Sequence, residues 1–102
     1  MRFEWDPAKN EVNVRERGID FADAASIFDG PMFTWVDLRR DYGEPRMAGL
    51  GLLNGRVMAF AFTMRGSDVV RWISVRKANA REAARFGDWS KQKDDEGEGD
   101  PR

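Results

Sequence analysis

The chain contains neither cysteine nor histidine. Without cysteine it has no disulfide, no thiolate zinc site and no thiol nucleophile. Without histidine it lacks the usual general base near neutral pH. Any catalysis has to come from Lys, Arg, Asp, Glu, Ser, Thr or the single tyrosine, Tyr42. Long apolar runs are missing too. The longest, Val57–Thr63, is far too short to span a bilayer. The opening MRFEWDP goes directly into mixed sequence instead of a charged-then-apolar leader. The expectation is a cytoplasmic protein without membrane contact.

What is present is an ordinary globular composition. The 102 residues are 41% hydrophobic and 34% charged, enough for one domain with a single modest core. The net charge of -1 hides a polarised distribution. Residues 1–30 hold four basic and seven acidic side chains, a balance of -3, whereas residues 46–85 hold eight basic and two acidic, a balance of +6. Such asymmetry points to nucleic-acid contact.

In chain order, Arg2–Trp5 reads as a short strand and Asp6–Pro7 as the start of a helix, with aspartate at the N-cap and proline in the first turn. Gly18 ends that helix in a left-handed turn closed by Ile19. Asp20 caps a second helix, whose Phe21, Ala24, Ala25 and Phe28 form one apolar stripe. Strands follow at Met32–Leu38, Arg46–Leu53, Arg56–Arg65 and Val69–Arg76, after the polar loop Arg39–Pro45. Asn54–Gly55 between two apolar runs is a strong hairpin signal. Gly49 and Gly51 suggest a bulge. Asn79 and Glu82 make a capping box for a last helix, on which Phe86 and Trp89 dock to the sheet. The domain is therefore residues 1–90, and the charged stretch 91–102 is expected to be a disordered tail. The order β-α-α-β-β-β-β-α implies an α+β fold with a mostly antiparallel sheet, covered on one face and open to a ligand on the other.

The basic stretch Val69–Glu82 carries the chemistry. Arg71, Arg76, Lys77 and Arg81 stand there against one acid, Glu82, and forked guanidinium groups suit phosphates. The alternative for Arg71 and Arg76 is a cross-strand ion pair with Glu44 or Asp37. Positions 71 and 76 are an odd number apart, so a regular strand sends them to opposite faces. They share a face only if a bulge intervenes or Arg76 lies past the strand end. Glu82 is either a proton acceptor or, since neighbouring arginines would lower its pKa, a cap and ion-pair partner. Most of the aromatic residues belong in a core, but Trp72 and Trp35 are also candidate surfaces for stacked bases. The acidic run Asp94–Asp100 reads as a solvated tail or as a mask for the basic face.

These residues resemble the BrnT family of ribonuclease toxins from type II toxin–antitoxin systems, which have a RelE-like fold. The similarity covers about residues 3–86. It runs through Phe3-Glu4-Trp5-Asp6, Lys9, Asn13, Gly18-Ile19-x-Phe21, Ala24, Phe28, Glu44-x-Arg46 and Arg65. It closes with Arg71-x-Ile73-Ser74-x-Arg76-Lys77-Ala78 and Arg81-Glu82. The resemblance implies metal-independent RNA cleavage by attack of a ribose 2′-OH, with no cofactor. Arg71, Arg76, Lys77 and Glu82 are then the catalytic candidates, and Lys9, Arg17, Arg46, Arg65 and Arg81 the RNA contacts. It also implies a BrnA-like ribbon-helix-helix antitoxin, through which the pair would reach operator DNA, and an RNA substrate either free or on the ribosome. Two positions depart from the family: the first helix ends Glu16-Arg17-Gly18 where Lys-His-Gly is usual, so Arg17 takes the histidine position, and Phe86 stands where a tyrosine is usual. A catalytically weakened homologue that binds its antitoxin and acts as a co-repressor is the alternative function.

Overall fold

The computed structural model describes residues 1–39 and 43–98. Tyr42 and the middle of the loop Arg39–Pro45 lie outside the described residues, as do Asp100 and the end of the tail. The elements are β1 (Arg2–Glu4), α1 (Pro7–Arg17), α2 (Phe21–Ala24) running into a 3-10 turn (Ala25–Asp29), β2 (Met32–Val36), β3 (Met47–Leu53), β4 (Arg56–Arg65), β5 (Val69–Lys77) and α3 (Ala80–Glu98). The fold is α+β. One five-stranded sheet has the order β1-β5-β4-β3-β2, antiparallel throughout except for the parallel edge pair β1–β5.

Local chemistry explains the starts and stops. The Asp6 carboxylate accepts a hydrogen bond from the Ala8 N–H at 2.9 Å, with Pro7 in the first turn. Gly18 takes φ +69 and its N–H closes on the Val14 carbonyl. The Asp20 side chain caps α2 through Ala22, but only four residues stay α-helical before the chain tightens into the 3-10 turn. Asn54 and Gly55 both have positive φ at the β3–β4 hairpin, as an Asn-Gly turn requires.

The glycines of β3 serve packing and make no bulge. A Cβ on Gly49 would stand 2.5 Å from the Phe60 ring, and one on Gly51 would stand 2.6 Å from Ile27. The one irregularity lies elsewhere: Ala61 pairs with Ser74 and Phe62 with Trp72, leaving Ile73 as the extra residue of a β5 bulge.

Two cores result. On one face α1, α2 and the 3-10 turn cover Phe60, Phe62, Val70, Trp72 and Val75, with Phe21 and Ile27 at its centre. Trp72 is 1% exposed and ringed by Phe3, Phe28, Phe60 and Phe62, so it is core and offers no surface for a base. On the other face α3 seats Phe86 and Trp89 against Phe33, Leu50 and Ala59. The second face is thus partly covered, where an open face was expected. α3 runs on through Lys91 to Glu98. Its Lys, Gln and Glu residues are good helix formers and no proline interrupts them.

Candidate nucleic-acid interface

The bulge at Ile73 organises the site. It lets Trp72 and Val75 both face the inner core although they are three residues apart, and it turns Arg71, Ser74 and Arg76 together onto the α3 face. Strand register then places whole rows on that face. Phe33, Leu50, Ala59 and Arg76 pair across the sheet as one row, and Trp35, Ala48, Ala61 and Ser74 as the next. Beyond them Thr63 pairs with Arg71 and Arg71 with Glu4. The Asp37 N–H donates to the Arg46 carbonyl, which extends the β2–β3 ladder and carries Arg46 into this third row.

A cleft of about 600 Å³ lies over these rows, walled by Trp35, Asp37, Arg39, Arg76 and Glu82 and floored by Ala48, Ala59, Ala61 and Ser74. Three arginines here are held by acids. Arg76 forks onto Glu82 at 2.7 and 2.8 Å. Glu82 also accepts from the Asn79 N–H, while the Asn79 carbonyl side-chain oxygen accepts from the Glu82 N–H, so the expected capping box is complete. Arg71 donates to Glu4 at 2.6 Å, and Arg39 forks onto the buried Asp37 carboxylate. The partners of Arg71 and Arg76 are therefore Glu4 and Glu82, where Glu44 or Asp37 was the expected alternative. Glu44 instead pairs with Arg65 at 3.6 Å, at the exposed end of β4. The Arg76 fork, helped by the Asn79 N–H, holds the Glu82 carboxyl below the usual carboxylate range, and Glu82 in turn raises Arg76. Glu82 is thus ionised and already engaged at neutral pH, which weakens it as a proton acceptor.

The other candidates divide. Lys77 does not join Arg76. It pairs with Met58 and lines a groove on the opposite face with Gly18, Ile19 and Asp20, because adjacent strand residues point oppositely. Lys9 and Arg17 line a hollow of about 360 Å³ between α1 and Ile73–Ser74, which meets the cleft at Ser74. Arg17 donates to the Asn13 side chain there. Arg81 is exposed in the first turn of α3. Phe86, at 5% exposure, packs in the α3 core. Sequence reasoning missed Ser74 as a floor residue and Arg85, whose guanidinium stands 4.6 Å from the Trp35 ring centroid and 4.9 Å from that of Phe33. Strand alternation through Trp35 could have pointed to the first, but the second depends on how α3 docks.

A model of the family described as "Ribonuclease toxin, BrnT, of type II toxin-antitoxin system" matches residues 5–82. The chain belongs to the BrnT family. The crystal structure of the Brucella abortus ribonuclease toxin BrnT is similar, with 28% sequence identity and a TM-score of 0.58 over 78% of this chain and 97% of that one. A comparison with curated proteins found no match. All nine candidate residues from Lys9 to Glu82 lie inside the BrnT match, whereas Arg85 and the rest of α3 lie beyond it. A type II toxin family implies an antitoxin as partner. Among the described residues no helix is long and apolar enough to cross a membrane.

Proposed function

We propose that this BrnT chain is an endoribonuclease whose substrate strand lies across the α3 face of the sheet. The observation that carries this reading is the Ile73 bulge, which brings Arg71 and Arg76 to one face on either side of a small-residue floor. Arg76, Arg71 and Arg46 bind the phosphates, Arg76 and Arg71 each exchanging a carboxylate partner for a phosphoryl oxygen. Lys9, Arg17 and Arg81 flank them on α1 and α3, and Arg65 marks the far end of the same strand face. The ribose 2′-OH attacks the adjacent phosphorus and the bond to the 5′-oxygen breaks, giving a 2′,3′-cyclic phosphate and a free 5′-hydroxyl. No metal enters this step. The arginines stabilise the charge that develops on the phosphoryl oxygens.

Proton transfer falls to water. Arginine does not deprotonate in the working range, and Glu82 is held ionised by Arg76 and has too low a pKa to be an efficient base. Cleavage is therefore slow, and its rate rises with pH through the neutral range. A ribbon-helix-helix antitoxin neutralises the activity and carries the pair to operator DNA.

The test is cleavage of single-stranded RNA by the purified chain, with end-group analysis and a pH–rate profile. Cyclic-phosphate ends, a rising profile and a loss of about 100-fold in Arg76→Ala would support the reading. A folded parent that leaves RNA intact yet binds its antitoxin would favour the catalytically weakened alternative. The locking of Arg76 by Glu82 is the observation on that side.

A further inference from the structure

The row Trp35–Ala48–Ala61–Ser74 has an unusual content for a sheet surface beneath a helix. Between its aromatic end on β2 and its hydroxyl end on β5, the two central strands present only methyl groups. α3 leaves the alanines and serine of this row open to the cleft: its Phe86 and Trp89 pack against Phe33 and Leu50, with Trp35 at the edge of that cluster and reached from α3 by Arg85. The result is a trough open to the cleft. Three strand spacings of about 4.8 Å make it roughly 14 Å from β2 to β5. One end is apolar and flat, and the other is polar and adjoins Arg76. Trp35 is also braced. The Arg85 guanidinium grips the ring at 4.6 Å while Phe33 packs beside it at 5.3 Å, so the wall is set before any ligand arrives.

We propose that this trough is the subsite for one unpaired nucleobase of the RNA strand. The base stacks on Trp35 over the Ala48–Ala61 floor, and its sugar–phosphate runs toward Ser74 and Arg76. This assignment rests on the ribonuclease reading and adds to it the residue that seats the base. Trp35 is a binding residue here, and Arg85 positions it.

The experiment is equilibrium binding of a 2′-O-methyl oligoribonucleotide, whose blocked nucleophile prevents cleavage, to the full chain. The same oligonucleotide is prepared with an abasic residue at each position in turn. Trp35→Leu keeps apolar bulk but removes the stacking face, and should weaken binding roughly 5- to 150-fold. Trp35→Phe should retain most of the affinity. One abasic position should weaken binding to the parent by a similar factor and cost nothing further in Trp35→Leu. Ala61→Leu, which fills the floor and leaves the wall alone, serves if Trp35→Leu does not fold. A folded Trp35→Leu or Ala61→Leu that binds as the parent does, or an abasic penalty identical in parent and variant, overturns the subsite while leaving the ribonuclease reading intact. A parent that binds no oligonucleotide overturns both.

Discussion

Arg76 and Lys77 are neighbours in the chain and strangers in the structure. Strand alternation sends Arg76 to the α3 cleft and Lys77 to the groove beside Gly18 and Asp20. Substituting each by alanine therefore separates the two faces. Arg76→Ala should lower RNA cleavage by about 100-fold and, having lost its Glu82 partner, melt modestly below the parent, whereas Lys77→Ala should leave cleavage and melting near the parent values. Equal losses in the two would mean that the α3 face alone does not make the site. A second residue matters for stability. Asn13 is 5% exposed, and its amide donates to the Ile19 and Val75 carbonyls at 2.9 and 3.0 Å, tying α1 to the α2 turn and to β5. Asn13→Ala strips the donor from both carbonyls in a buried place, at a cost of about 3 kcal/mol. Denaturant unfolding measures this directly, and an unfolding midpoint equal to the parent's would show that water replaces the amide.

At the scale of elements, α3 begins on a residue with two tasks. Glu82 caps the helix through Asn79 and neutralises Arg76 on the strand before it, so it fixes the angle at which α3 leaves β5. The Arg76 hydrogen bonds hold its carboxyl below the ordinary value of 4.5. The folded state therefore favours the ionised form. The stability this contributes is fully present above pH 4.5 and is lost as pH falls through the lower folded value. Glu82→Gln, which can still cap, should melt below the parent at neutral pH, and the gap should narrow as the pH drops under 4.5. A gap constant across that range would mean the ion pair adds nothing. Features of this kind were legible in the sequence because they are local: the capping box, the Gly18 stop and the Asn-Gly hairpin each need only four or five residues. The Ile73 bulge was not. Val69, Val70, Trp72, Ile73 and Val75 are all apolar, so the pattern cannot say which one drops out of the ladder. That choice is made by Phe60 and Phe62 on the neighbouring strand and by the inner core behind them. The division of Arg76 from Lys77, the role of Arg85 and the placement of α3 on the second face all follow from that long-range packing.

For the whole molecule, the net charge of -1 and pI near 5.5 argue against broad electrostatic attraction to nucleic acid. Affinity has to come from the few cations that one face assembles. Arg46 and Arg71 share one row there and Arg76 stands two rows away, and a single strand that neutralises its phosphates on three cations should show a log affinity against log salt slope of about -2. Each alanine substitution among the three should flatten that slope by about 0.7, whereas Lys77→Ala on the opposite face should not change it. Glu4 and Glu82 compete with the phosphates for Arg71 and Arg76, so Glu4→Gln should tighten binding at low salt and leave the slope nearly as it was. Binding of a 2′-O-methyl oligoribonucleotide over a salt series decides the matter. A slope near zero would mean that base stacking carries the affinity and the arginines act only on the transition state. Equal flattening by Lys77→Ala would mean that the strand wraps both faces and that the bulge does not select one.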